Sequence, residues 1–205
     1  MMLTVSSSPH GYHHGDLRRA LMDAGVEVLA ERGVDGLSLR EVARRAGVSQ
    51  AAPYHHFADK GALLSAIAEQ GYHELAAALN DGAERAGGTA LTRFQGMGIA
   101  YVQFAVARPA MFRLLFRPEL LASADPTGNL AATEAYRTLE RGLAAAIAEG
   151  SVTGDREDIA LAAWCTVHGA ATLYVDGPLG GESRSAEEIA NIVTVVLGLG
   201  FIPRT

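Results

Sequence analysis

The sequence predicts an all-α protein of about nine helices, on three observations. Alanine, the strongest intrinsic helix former, supplies 37 of the 205 residues, and 49% of the chain is hydrophobic. Apolar residues recur at three- and four-residue spacings along most of the length, the period of a helix with one buried face. Glycine, proline and capping Ser or Asp residues punctuate those segments, and no convincing strand pair interrupts them. The length suits one medium domain or two small ones and is ample for a buried core. The lone Cys165 excludes an internal disulfide and a cysteine zinc cluster. The apolar run Ile192–Ile202, 11 positions, falls short of the ~20 residues that cross a bilayer. The opening MMLTVSSSPHGYHH lacks the basic start and apolar centre of a secretory signal, which leaves the expectation of a cytoplasmic protein.

Leu17, Leu21, Ala24, Val28 and Leu29 mark the first helix, and Gly33 closes it as a C-cap residue. Ser38-Leu39-Arg40-Glu41 is a capping box that opens a second helix, kept short by Gly47 after Val42, Ala43 and Ala46. Ser49 is the natural N-cap of a third helix over about 50–57. Pro53 inside it stands four residues after the cap and removes only the first intrahelical hydrogen bond. Asp59 caps a fourth helix to about Arg85, with Leu63, Ile67 and Leu75 along one side. Gly71 in that helix either eases bending or admits a close neighbour. After Gly87-Gly88, the residues Leu91, Phe94, Met97, Tyr101 and Phe104 outline a fifth helix ending at Arg108-Pro109. Its opposite face is hardly polar, so burial on several sides is expected. Pro109 and Pro118 bracket a short sixth helix, followed by a polar loop to Gly128. The seventh runs from about Asn129 to Glu149. Asp155 and the acidic pair Glu157-Asp158 open the eighth, which ends at Asp176-Gly177-Pro178. A second capping box, Ser185 to Glu188, opens a very apolar ninth helix to about Leu199.

The 17 basic and 23 acidic side chains leave a formal charge of −6, which at face value argues against nucleic acid as a partner. The charge is uneven. Residues 1–60 carry seven of each sign, so the whole −6 falls on residues 61–205 with ten basic and sixteen acidic groups. Within 38–60, Arg40, Arg44, Arg45 and Lys60 (the chain's only lysine) outnumber Glu41 and Asp59 by two.

The most informative segment is SLREVARRAGVSQAAPYHHF, two short helices joined by a tight glycine turn. Ala43 and Gly47 are small where the helices must approach, and Val42, Val48 and Phe57 can fill the core between them. A helix-turn-helix lays its second helix in the DNA major groove, N-terminal residues toward the base edges. A generic helical hairpin also accounts for the cap and for Gly47. In the first reading Gln50, Ala51, Tyr54 and His55 face DNA, the glutamine able to read an adenine edge and the alanine methyl to meet a thymine methyl. Arg44, Arg45 and Lys60 lie where phosphate contacts position such a unit.

The run from Tyr12 through Leu64 resembles the DNA-binding region of the TetR family of transcriptional regulators. The matching pieces are YHHGDLRRAL, SLREVARRAGVS, QAAPYHHF and ADKGALL, about a quarter of the chain. The resemblance implies phosphate contacts from Tyr54 and Lys60, with Gln50, Ala51, Ala52 and His55 in the variable recognition positions. Arg40, Ser49 and His56 complete the candidate DNA-binding set. Trp164-Cys165-Thr166-Val167-His168-Gly169 is similar to the Trp-x-x-x-His-Gly (WHG) signature of one subgroup's C-terminal domain. The implied organisation is a flexible N-terminal arm (1–15), a helix-turn-helix domain (16–60) and a ligand-binding and dimerisation domain (61–205).

The residues beyond 61 support such a role independently. Tyr101, Phe104, Met111, Phe112 and Phe116 concentrate large apolar groups on two successive helices, and Trp164 and His168 stand four apart on one face of a later one. These seven are the candidate contacts for a small lipophilic effector. The same pattern also describes packed core, with His168 as a hydrogen-bonded core histidine. The candidate dimer residues are Ala163, Val167 and Ala171, where small side chains permit close approach, and the apolar Ile189, Ile192, Val193 and Val196. The resemblance implies a two-fold homodimer that represses from a pseudo-palindromic operator, with half-sites ~34–36 Å apart. A ligand that moves the fourth helix would change the separation of the recognition segments. No nucleophile elbow, zincin motif or phosphate-binding glycine loop supports an enzyme, and no cofactor is expected. Two rival readings are a metal site built from His10, His13, His14, His55 and His56, and a helical sensor using the helix-turn-helix for protein contacts.

Overall fold

The periodic segments form helices throughout the computed structural model, which describes residues 14–121, 126–179 and 184–201. The chain divides between Leu63 and Leu64 into two units. The first holds α1 (His14–Gly36), α2 (Leu39–Arg45), a 3-10 turn at Ala52–His55 and the opening of α3 (Lys60–Ala86), which runs across the boundary. The helix α1 starts two residues before position 16, where the sequence predicts the domain to begin, and its backbone breaks at Gly33 with φ +66°. Residues 1–13 of the expected arm lie outside the described residues. Leu21, Val28, Leu37, Val42, Ala43 and Phe57 are buried and form the core of this unit.

Half of the first capping box forms. Ser38 Oγ accepts the Glu41 N–H at 3.2 Å, while the Glu41 carboxylate takes Arg44 instead of returning to Ser38. At the other end of α2, Val48 N–H donates to Ala43 C=O at 3.0 Å and Gly47 N–H to Arg44 C=O at 3.3 Å. These two bonds are a Schellman closure, which places Gly47 at φ +70°, a conformation that costs a residue with a Cβ.

The expected third α-helix is a single 3-10 turn, and its cap residue is Ala51 without a side-chain cap bond, not Ser49. The reason is Pro53. It has no N–H to give the Ser49 carbonyl, which accepts Ala52 N–H at 3.0 Å instead, and Tyr54 N–H bonds Ala51 C=O at 3.2 Å in the same tight register. The missing bond thus changes the type of helix as well as weakening its first turn.

The second unit holds the rest of α3 with α4 (Ala90–Ala107), α5 (Pro109–Leu115), a 3-10 turn at Pro118–Leu120, α6 (Pro126–Ala148), α7 (Arg156–Asp176) and α8 (Ala186–Phe201). Helix α4 is the hub and packs on α5, α6, α7 and α8, as its lack of a polar face requires. The caps are where the residues placed them. Asp59 accepts Ala62 N–H at 2.8 Å, and Asp155 accepts Glu157 and Asp158 N–H at 2.9 and 3.0 Å, while α4 is capped by Thr89, which the sequence reading did not single out. The Ser185–Glu188 box closes in both directions, at 2.7 and 3.2 Å. Helices α3 and α4 cross at Gly82 and Gly96, where a Cβ on Gly96 would stand 2.5 Å from the Gly82 carbonyl oxygen. Gly71 admits a neighbour: a Cβ there would stand 2.6 Å from Met111 Sδ. No described helix is long and apolar enough to cross a membrane.

Candidate functional site

On the first unit, the turn after Gly47 presents its side chains outward. Gln50, Ala51 and His55 are exposed, Tyr54 is 54% exposed despite its large ring, and Ala52 is half-buried. Pro53 and Phe57 point inward, and half-buried His56 lies 6.4 Å from the Phe57 ring. The guanidinium of Arg18 also covers Phe57, 5.4 Å from its centroid. Ser49 and Arg40 are exposed.

The cationic groups are less free than their count implies. Arg44 donates from Nε and Nη2 to Glu41 at 2.9 and 2.6 Å, and that hydrogen bonding pulls the Glu41 carboxyl down to about 2. Arg45 reaches back to α1, donating from Nη1 to Glu27 at 3.2 Å and to Glu31 at 2.8 Å, with a second bond from Nη2 to Glu31. The bonds to Glu31 and Glu27 push its proton affinity up, and Glu31 is lowered in return. Lys60 Nζ donates to the Val34 carbonyl at 2.5 Å, leaving two of its three donors. Sequence reasoning missed Glu27 and Glu31 as partners. Their signal is an i,i+4 pair of carboxylates on one face of α1.

In the second unit the structure brings five of the seven candidates, Tyr101, Phe112, Phe116, Trp164 and His168, into one ring cluster. Tyr101, Phe104, Met111 and Phe112 are buried, while Phe116, Trp164 and His168 are half-buried. Phe116 and His168 ring centres are 4.5 Å apart, Tyr101 and Trp164 5.5 Å, and Trp164 stacks parallel on His168 at 6.0 Å. The Tyr101 hydroxyl lies 2.9 Å from His168 Nδ1, and the two groups share one hydrogen bond.

Burial raises the Tyr101 phenol far above its ordinary value and lowers that of His168, favouring the neutral imidazole. An unfolded histidine titrates near ~6.5, so below that pH the unfolded chain binds a proton that the folded chain resists. The stability from neutral His168 is therefore complete above ~6.5 and declines as pH falls toward the lowered folded value. Thermal unfolding followed from about pH 7.5 down to 5.5 should show a falling Tm, and His168→Gln should flatten part of that fall. An identical pH slope in the variant would remove His168 from the account.

The described opening lies elsewhere, between α4, α6, α7 and α8. It is narrow, with a cavity volume of about 20 Å³, and is lined by Leu91, Phe94, Gln95 and Gly98 of α4, Leu139 of α6, Ala163 and Val167 of α7, and Thr194 and Gly198 of α8. The structure corrects the dimer assignment of Ala163, Val167, Ala171 and Ile189. All four are buried within one subunit, where their small or branched side chains pack between α7, α8 and α4. What α7 and α8 turn outward is Leu161, 61% exposed, with Leu173, Ile192, Val195 and Val196. Val193 is half-buried. Among the described residues no three metal-ligating side chains converge; His10, His13 and the His14 side chain lie outside them.

A Schellman-closed helix, an exposed turn behind it and an all-helical C-terminal body define a helix-turn-helix protein with an appended helical domain. Residues 21–67 match the bacterial regulatory proteins of the tetR family, and residues 94–197 match the tetracyclin repressor-like C-terminal domain. The chain belongs to the TetR family. The class A tetracycline repressor of transposon 1721 from Escherichia coli is 54% identical over 46 residues, 22% of this chain and 21% of that protein. The class D repressor from Escherichia coli is 43% identical over 51 residues, 25% of this chain and 23% of that protein. The chain thus matches about a fifth to a quarter of these curated relatives' length. A solved structure of a protein of unknown function from Rhodococcus sp. RHA1 is similar along 95% of this chain and 100% of its own, at 38% identity and a TM-score of 0.84. The TetR family regulator PfmR from Thermus thermophilus shares the fold, with a TM-score of 0.70 at 20% identity over 91% of this chain and 100% of that one.

Proposed function

We propose that this chain is a homodimeric, ligand-responsive repressor that binds a pseudo-palindromic DNA operator through Gln50, Ala51, Tyr54 and His55. The observation that carries the reading is the outward turn after Gly47, with a buried Phe57 behind it and a bulky, exposed Tyr54 in front. An exposed tyrosine beside an exposed glutamine is poor surface chemistry for a monomer and good chemistry for phosphate and base edges. Arg44 and Lys60 reach phosphate by exchanging Glu41 and the Val34 carbonyl for a stronger anion. Arg45, held by two carboxylates, ties α1 to α2 and keeps the turn in register. Ligand binding in the core shifts α3 and so the spacing of two recognition turns; the ligand must favour one spacing, or nothing moves. Fluorescence anisotropy with palindromic sites flanking the protein's own gene tests the reading. Specific, salt-dependent retention is expected, and equal retention of scrambled DNA would leave the sensor reading in its place.

The outward apolar residues of α7 and α8 are the proposed dimer face. Val196 is 63% exposed in one subunit, so Val196→Asp leaves the fold standing while placing two buried, facing charges in the dimer. The variant is expected to sediment as a monomer and to lose at least about a hundredfold in operator affinity, because one half-site alone binds weakly. A dimeric Val196→Asp protein would move the interface elsewhere.

A further inference from the structure

We infer that Arg18 is a further contact to the DNA backbone, a guanidinium that the fold pins at the foot of the recognition turn with its donors open to a phosphate. This rests on the DNA-binding reading and adds a residue to its contact surface. Three other arginines of the first unit are already committed. Arg44 and Arg32 share Glu41, at 2.6 and 3.3 Å, and Arg45 is held by Glu27 and Glu31. Among the described residues Arg18 makes no ion pair, while its neighbour Arg19 reaches Asp23 at 4.0 Å. Arg18 is exposed, yet its head group is fixed. The guanidinium lies over the Phe57 ring, 5.4 Å from the centroid, and Nη1 reaches Met22 Sδ at 3.2 Å. Phe57 and Met22 are both buried, so the group rests on the lid of the core.

An aromatic face holds a guanidinium by its plane, which leaves the N–H donors pointing outward around the rim. A thioether is a weak acceptor and takes one of the five. The others meet no protein acceptor among the described residues, and a phosphate oxygen would complete them with charge-assisted bonds. The place is right for that anion. Phe57 closes the segment that carries exposed Tyr54 and His55, so a group seated on Phe57 adjoins the side chains proposed to meet DNA. A side chain already ordered by two buried neighbours also loses little further freedom on binding. Nothing in the chain distinguishes Arg18 from Arg19. Only the packing of α1 against Phe57 singles out the first.

Anisotropy titrations of the full chain carrying Arg18→Met, Arg18→Lys or Arg19→Met, on a retained palindromic site and on scrambled DNA between about 50 and 200 mM salt, test the contact. Methionine keeps an apolar stem over Phe57 and removes only the charge, so helical circular dichroism should be unchanged. Arg18→Met should weaken binding to both DNAs and lower the salt slope by about two per dimer, one for each subunit. Over that fourfold rise in salt the unaltered protein should therefore lose roughly tenfold more affinity than the variant. Arg18→Lys should keep the slope, because the charge remains, and Arg19→Met should keep it because that side chain points elsewhere. A purely structural role would move affinity without moving the slope. An unchanged slope in folded Arg18→Met, a slope in Arg18→Lys as low as in Arg18→Met, or an equal fall in Arg19→Met would each overturn the assignment while leaving the regulator reading in place. Unaltered protein that shows no salt-dependent retention of DNA would end that reading, and the contact with it.

Discussion

Exchanging Gln50 for alanine is expected to weaken operator binding by about 2–6 kcal/mol per dimer, some thirtyfold or more in affinity, and to relax sequence preference at the base it meets. A side chain that reads a base edge contributes about 1–3 kcal/mol, and the dimer carries two copies. Gln50 is exposed and lies on the turn that Gly47 aims outward, so its removal disturbs no core packing. Arg44→Ala provides the contrast. It should weaken binding to every sequence alike and lower the salt slope by about two per dimer, one for each phosphate no longer neutralised. The pairing with Glu41 sharpens that contrast, because Glu41 competes with phosphate for the same guanidinium. Anisotropy titrations of both variants on matched and mismatched operators, at two salt concentrations, separate the roles. A uniform loss in Gln50→Ala across all operators would reassign Gln50 from reading to positioning.

Gly96→Val is expected to destabilise the second unit by about 3 kcal/mol, the upper end of what overpacking costs. The obstacle is backbone. A Cβ at position 96 would meet the Gly82 carbonyl oxygen at 2.5 Å and the Ala86 Cβ at 2.6 Å, and neither is the end of a flexible side chain. Helix α3 would have to move away from α4, the hub on which the other core helices pack. In a domain of this size such a loss lowers Tm by about 6–12 °C, readable as a shift in the helical circular dichroism. Gly96→Ala should fall by less, because the helix propensity gained over glycine offsets part of the clash. A Gly96→Val protein that melts within about 2 °C of the unaltered one would mean the two helices do not cross at these glycines.

The division between what is legible in the residues and what is not follows the range of the interactions. The caps at Ser38, Asp59, Asp155 and Ser185, and the turn at Gly47, involve partners within five residues, so the spelling of the chain is enough to place them. The family resemblance lies in the same local segment for the same reason. Pro53 is legible as an irregularity, but its effect depends on where the Ser49 carbonyl turns, and it turns to Ala52. Charge counting fails at Arg45, whose carboxylates lie 14 and 18 residues away on another helix.

By itself the sequence determined an all-helical chain, a helix-turn-helix with its outward residues, and the two groups of apolar helices beyond it. Only the tertiary structure decided which side of α7 is inside. That helix carries apolar residues almost all round, so periodicity cannot choose between Ala163 with Val167 and Leu161 with Leu173. Packing chooses, because α4 needs small neighbours at close range, and the choice moved Ala163 and Val167 from the expected dimer face to the wall of the opening. It also stacked Tyr101, Phe112, Phe116, Trp164 and His168 on one another, contacts between helices that periodicity cannot place.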